Sequence, residues 1–206
     1  LLKRREAREP IHYILGDREF WSLSLHVGPG VLIPRPDTET LVNAALQWIP
    51  ADLDPVYVAD VGCGSGAVGL AIAMERPGVR LYATDIAPVP LETTRENVAL
   101  LGLGQRVAVL EGPLLDPIPR NRPVEWVVSN PPYIPSLEIE GLMPAVSRWE
   151  PRTALDGGPD GLDVYRALLP YAARRATKGV LVEIGMGQGP EVIDLMRRAG
   201  LERIET

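Results

Sequence analysis

Asn130-Pro131-Pro132-Tyr133 closes an apolar run, Trp126-Val127-Val128-Ser129, that reads as a buried strand. These four residue types are well suited to holding a planar NH2 group. The Asn oxygen accepts one N–H, and a backbone carbonyl of the Pro-Pro turn accepts the other. Each Pro fixes its own φ and restricts the residue before it, so the turn is stiff. Tyr133 offers a flat face to an amide or a base. A rigid loop with a strand-ending Asn accounts for the same tetrapeptide without any ligand, and the motif alone does not choose between the two.

A second group lies upstream. Asp60-Val61-Gly62-Cys63-Gly64-Ser65-Gly66 sits where a strand gives way to a helix. Glycines there permit a tight turn and a close ligand approach. A dinucleotide site has G-x-G-x-x-G at this place, with pyrophosphate on the helix N-terminus. Here the spacing is G-x-G-x-G. Asp60 would sit poorly beside phosphates and well beside a cationic group, which favours S-adenosylmethionine. Asp85 ends the next strand, where a carboxylate accepts hydrogen bonds from ribose hydroxyls. A plain strand-to-helix turn remains the bland reading. Cys63 has no activating neighbour and reads as a small loop residue rather than a nucleophile.

The elements that must position these groups follow a regular order. Strands are expected over 56–61, 79–84, 107–110, 126–129 and 179–184. Helices are expected over 68–74, 91–101, 162–175 and 191–199. Strands alternating with helices imply a mainly parallel sheet covered on both faces, with ligands at the carboxyl ends of the strands. Asn130 and the glycine loop then share one edge. Upstream, residues 20–27 alternate like a strand or hairpin, and a helix with Leu41, Val42, Ala45, Leu46 and Ile49 on one face follows Asp37 or Thr38 as its cap. Residues 134–159 form a long connection of the kind that often carries function. The ends look cut: residues 1–6 read as the end of a helix and 201–206 as a strand just beginning.

Composition narrows the class. The chain has 206 residues and is 46% apolar, enough for a real core. Its net charge of −6 argues against a broad nucleic-acid surface. Cys63 is the only cysteine, which fits a reducing, cytoplasmic compartment. No apolar stretch is long enough to span a bilayer. No His/Cys cluster has metal spacing, and the four tryptophans read as core or loop anchors, with Trp149 the first candidate for an exception. Arg35 and Arg152 read as solvated or ion-paired before they read as substrate contacts.

Several segments together resemble a known family. They are Gly16 to Trp21, Leu32-Ile33-Pro34-Arg35-Pro36-Asp37-Thr38-Glu39, Asp60 to Gly66, Ser129 to Ile134, and Glu150-Pro151-Arg152-Thr153-Ala154-Leu155-Asp156-Gly157-Gly158. In them the chain is similar to the release-factor glutamine N5-methyltransferases (the PrmC/HemK family). The resemblance implies an α/β, Rossmann-like class I S-adenosylmethionine-dependent methyltransferase, with S-adenosylhomocysteine as product and no metal. It implies as substrate and partner the Gly-Gly-Gln glutamine of class I peptide-chain release factors. It also implies residues 1–30 as linker and hairpin from a mostly missing N-terminal helical domain, and 31–206 as a catalytic domain with its last strands cut. Gly62, Cys63, Gly64, Ser65 and Gly66 match the cofactor loop, Asp85 the ribose-binding acid, and Thr38 and Glu39 a segment near the cofactor. Asn130 matches the residue that grips the substrate amide, with Pro131, Pro132 and Tyr133 completing that pocket. The family commonly has Asp after the third strand, where this chain has Pro113, and Leu114 is left to cover the adenine. An adenine-N6 methyltransferase on DNA or RNA keeps the same chemistry with a different substrate. The same residues also admit a non-catalytic S-adenosylmethionine-binding protein and, more remotely, a dinucleotide-dependent oxidoreductase.

Overall fold

A computed structural model describes residues 1–206. Short helices α1 (Leu2–Glu6) and α2 (Ile11–Leu15) lead into an antiparallel hairpin of β1 (Asp17–Phe20) and β2 (Leu23–His26). Trp21 and Ser22 form its two-residue turn, both at positive φ. Such a turn matches strand twist but strains residues that carry a Cβ. The turn is held from outside, because Trp21 N–H donates to Glu39 Oε1 at 3.0 Å and its indole Nε1 to Glu75 Oε1 at 2.9 Å.

The remainder is the expected alternation: α3 (Glu39–Trp48), β3 (Val56–Val61), α4 (Ala67–Glu75), β4 (Val79–Asp85), α5 (Pro88–Leu100), β5 (Val107–Glu111), β6 (Trp126–Ser129), α6 (Pro144–Ser147), α7 (Asp163–Arg175), β7 (Gly179–Val182) and α8 (Gly189–Arg198). The five strands run parallel in the order β5-β4-β3-β6-β7. α5 starts three residues before the expected Leu91, since Pro88 and Pro90 occupy a first turn that needs no N–H partner. β7 ends two residues early, although Glu183 N–H still reaches the Ser129 carbonyl at 3.0 Å. Residues 201–206 form no strand.

Strand alternation divides the core. Val56, Val58, Leu81, Ala83 and Val128 face α3, α4 and α5, joined there by Phe20 and Leu25 of the hairpin. Ala59, Val61 and Val127 face the other way, against Leu168 and Ala172 of α7. Trp126 is buried, but Trp48, expected as an anchor, is 52% exposed at the end of α3.

The hairpin is fastened to the sheet by Asn97 of α5. This fully buried side chain accepts His26 N–H at 2.7 Å, and its Nδ2 donates to the His26 carbonyl at 3.1 Å and the Ser65 carbonyl at 2.9 Å. Replacing it by an apolar side chain of similar size leaves three backbone groups without this partner, one of them buried and two partly so. Asn97→Leu is therefore expected to destabilise the fold by on the order of 2–4 kcal/mol, read as a fall in the urea midpoint. An unchanged midpoint would remove Asn97 as the fastening.

Candidate active site

β3 delivers its chain end into the glycine loop. Gly62, Gly64 and Gly66 all have positive φ. At Gly66 an added Cβ would stand 2.8 Å from Leu70 Cδ1, so conformation and space both demand glycine. Gly69 is a further requirement, invisible in the loop motif. A Cβ there would lie 2.7 Å from Asp60 Oδ2, and its absence lets Gly69 N–H donate to that oxygen at 2.9 Å. Asp60 is 2% exposed and has no ion-pair partner. Burial pushes its carboxyl up to about 7, the Gly69 N–H opposes this, and the charge of Asp85 adds to it. Asp85 braces the loop, accepting Gly64 N–H at 3.1 Å and Ala87 N–H at 3.0 Å. Cys63 is buried against the Thr94 hydroxyl, and burial pushes its thiol up, away from any nucleophilic role.

Asp60, the loop and Asp85 line a cavity of about 730 Å³. Pro113 and Leu114 line it too, beyond the end of β5. Leu114 sits at φ +50°, and its carbonyl takes the Thr84 hydroxyl at 2.8 Å. Thr38, Asn130, Pro131 and Pro132 complete the part of the lining relevant to an acceptor. The two groups singled out from sequence therefore face one space. Arg35 and Arg152 also border it, each already paired, Arg35 to Glu150 at 2.7 Å and Arg152 to Asp156 at 3.0 Å.

Asn130 Nδ2 donates to Thr38 Oγ1 at 3.0 Å. This uses the donor end of the amide and leaves Oδ1 as the free acceptor. Thr38, expected as a helix cap, makes no side-chain cap hydrogen bond, because its buried hydroxyl is taken by Asn130. Asp37 does not cap α3 either; it lies in a short 3-10 turn before it.

Three expected site residues are placed elsewhere. Gly66 lies against Leu70 and Thr94, behind the part of its loop that lines the cavity. Glu39 does not line the cavity; its carboxylate holds Trp21 in the hairpin turn. Tyr133 does not line it either. After the Pro-Pro turn the chain bridges Ile134 to Asp156, and the Tyr133 ring packs with the cluster of Leu162, Tyr165 and Leu169. Its hydroxyl donates to Glu183 Oε1 at 3.4 Å, and its carbonyl accepts Gln188 Nε2 at 3.0 Å. None of the tryptophans borders the cavity, and Trp149 donates its indole N–H to the Ala7 carbonyl as a loop anchor. Gly69 is the requirement that the motifs did not single out; its one signal is a glycine inside the helix that opens after the loop.

The fold is shared with solved methyltransferases. The METTL16 MTase domain superposes with a TM-score of 0.68 over 98% of this chain and 89% of that chain, at 16% identity, a likeness of fold alone. The protein-(glutamine-N5) methyltransferase (release factor-specific) of Alicyclobacillus acidocaldarius gives a TM-score of 0.50 at 30% identity, covering 84% of this chain and 83% of that chain. Residues 41–143 match the methyltransferase small domain family. Sheet order, glycine loop and this match define a class I S-adenosylmethionine-dependent methyltransferase. Among curated proteins, the release factor glutamine methyltransferase of Moorella thermoacetica is 49% identical over 99% of this chain and 72% of its own length. That of Geobacter sulfurreducens is 41% identical over 97% of this chain and 69% of its own length. The chain belongs to the release factor glutamine methyltransferase family.

The Asp60 environment has a testable consequence. Its folded pKa of about 7 lies above its ordinary value near 4. Between those pH values the folded state holds more protons than the unfolded state, so this group's contribution to stability falls as pH rises from about 4 to about 7. Asp60→Asn keeps an acceptor for Gly69 N–H and removes the titration. Without cofactor, the variant is expected to gain stability over the wild type at pH 8 relative to pH 5, measured by urea unfolding. An equal difference at both pH values would contradict the assignment.

Proposed function

We propose that this chain transfers a methyl group from S-adenosylmethionine to the side-chain amide nitrogen, N5, of the Gly-Gly-Gln glutamine of class I peptide-chain release factors. The observation that carries this reading is the pinned Asn130 amide, with Nδ2 engaged by Thr38 and Oδ1 free at the cavity that the glycine loop shares. Names of relatives at 49% and 41% identity support the same substrate.

The residues present fit the methyl donor. Asp60 is a buried carboxylate without a cation at the cavity wall, and a positively charged ligand would satisfy it. Asp85 has acceptor capacity beyond the N–H groups it already takes, which suits ribose hydroxyls. Leu114 offers an apolar side chain for the adenine, beside Pro113, which has no N–H to give. When bound, S-adenosylmethionine supplies an electrophilic methyl group, and S-adenosylhomocysteine is what remains. No step in this scheme calls for a metal.

A carboxamide nitrogen is a weak nucleophile because its lone pair is delocalised into the carbonyl. Asn130 Oδ1 and the Pro131 carbonyl, which no backbone N–H of the chain engages, accept its two hydrogens. They fix the nitrogen's direction and favour the positive charge that develops on it. The proton then leaves after transfer, so no strong base is required. Residues 31–206 carry this chemistry and residues 1–30 lead into it. A release-factor substrate puts the work in the cytoplasm. No helix is long and apolar enough to cross a membrane.

With labelled S-adenosylmethionine, label is expected on wild-type release factor and not on one whose Gly-Gly-Gln glutamine is replaced by Ala. Asn130→Ala is expected to lower kcat by about 100-fold or more while leaving S-adenosylmethionine binding, read by calorimetry, largely intact. Methylation by Asn130→Ala at the wild-type rate would sink the mechanism. Label on adenine in nucleic acid in place of the release factor would move the substrate.

A further inference from the structure

The last link between β3 and β6 is made by a side chain and not by the backbone. The two strands pair Val58 with Trp126, Ala59 with Val127 and Asp60 with Val128, and the pairing stops there. On the other flank of β6, the Ser129 carbonyl takes Glu183 N–H at 3.0 Å, so the Ser129 backbone faces β7. Backbone direction alternates along a strand, which turns that of Asn130 toward β3, where the Val61 carbonyl is the acceptor next in line. This rung is not formed, since Asn130 N–H donates to no backbone carbonyl. The Val61 carbonyl accepts the Ser129 hydroxyl instead, at 2.7 Å, in a buried bond. Ser129 itself is 1% exposed.

The two residues joined in this way stand immediately before the two halves of the site. Val61 precedes the glycine loop, Ser129 precedes Asn130, and both line the cavity. Without the hydroxyl, the Val61 carbonyl loses this donor, and Asn130 N–H is the replacement at hand. The ladder then lengthens by one rung and draws the Asn130 backbone toward β3. Its side chain moves with it, off the line between methyl donor and acceptor. A shift of about 1 Å is enough to cost much of the rate when two groups must meet in line. We propose that Ser129, acting through the backbone of Asn130, is a positioning residue. Its hydroxyl closes the β3–β6 ladder one rung early and holds the acceptor turn at a fixed place against the strand that carries the cofactor loop. The assignment rests on the glutamine methylation proposed above.

The test uses the full chain, labelled S-adenosylmethionine and release factor, with Ser129→Ala, Ser129→Val and Ser129→Thr. Ser129→Thr and Ser129→Val add nearly the same volume and differ in the hydroxyl, so their ratio separates the hydrogen bond from crowding. Ser129→Ala and Ser129→Val are each expected to lower kcat by about tenfold or more, with release-factor KM and S-adenosylmethionine Kd within about threefold of wild type. Ser129→Thr retains a kcat well above that of Ser129→Val. Hydrogen exchange at the Asn130 amide, read by NMR, slows in Ser129→Ala because that N–H enters the ladder. Wild-type kcat in Ser129→Ala, equal kcat in Ser129→Thr and Ser129→Val, or losses confined to KM would overturn the assignment. So would an Asn130 amide that exchanges equally fast in wild type and Ser129→Ala. Should the two larger variants fail to fold, as read by thermal melting, Ser129→Ala decides alone by its kcat and its Asn130 exchange. Wild-type chain that labels no release factor would bring down the functional reading and, with it, the role in catalysis. Active wild type with unaffected variants would bring down only the role of Ser129.

Discussion

The parallel register of β4, β3, β6 and β7 is the constraint on which the rest of the site depends. Parallel strands share a direction, so their carboxyl ends gather at one edge of the sheet. Val61 pairs with Thr84, Asp60 with Val128, and Ser129 with Val182. The glycine loop, Asp85, Asn130 and Glu183 all leave from that edge. A slip of one residue in β6 would turn each of its side chains to the opposite face and separate the acceptor pocket from the cofactor loop. The apolar alternation prevents this. Val127 and Val128 are each fully buried against a different helical layer, and neither layer accepts a polar replacement.

Much of this was legible in the sequence because its signals are local. Strand runs, helix spacing and the glycine loop each occupy a short window. Asn130 was legible because the two prolines after it make an unusual turn. The roles of Thr38, Glu39 and Tyr133 were not, since they depend on partners far along the chain. Thr38 and Asn130 are 92 residues apart, and Asn97 lies 71 from His26. Thr38 stands where a helix cap belongs, yet a distant amide competes for its hydroxyl and wins. Glu39 stands in a family-like segment beside the site, yet the strained Trp21 turn takes its carboxylate. Tyr133 has the face a planar substrate wants, yet the Ile134 bridge turns it toward α7 and α8.

The loop of residues 134–159 shows how such long-range pairing shapes the cavity. Glu150, with its side chain 1% exposed, holds Arg35, so the segment before α3 and the loop after β6 are joined across 115 residues. Burial raises the Glu150 carboxyl, and Arg35 opposes that most strongly. A pair of this kind adds little net stability, because desolvation offsets attraction, but breaking it leaves a buried charge alone. Its effect is geometric: it ties Pro34 and Thr38 on one segment to Pro151 and Arg152 on the other, all at the cavity rim.

The site therefore combines a rigid frame with polar groups left short of partners. Asp60 is buried without a cation, and Glu183 Oε2 is buried without a donor. In an ordinary core each would be a defect, since an unmatched buried acceptor costs about 1–3 kcal/mol and a charge costs more. Local rules are broken most often where function resides. Here the two violations stand at the same sheet edge and differ in what they require. Asp60 asks for positive charge, which a sulfonium or ammonium brings only on binding. Glu183 Oε2 asks for a proton donor that the chain does not itself supply. Asn130 raises a different question, because an amide flipped about its axis has nearly the same shape and the opposite hydrogen-bonding sense. Shape alone cannot orient it, and the contact that does so is the one between its NH2 end and Thr38 Oγ1.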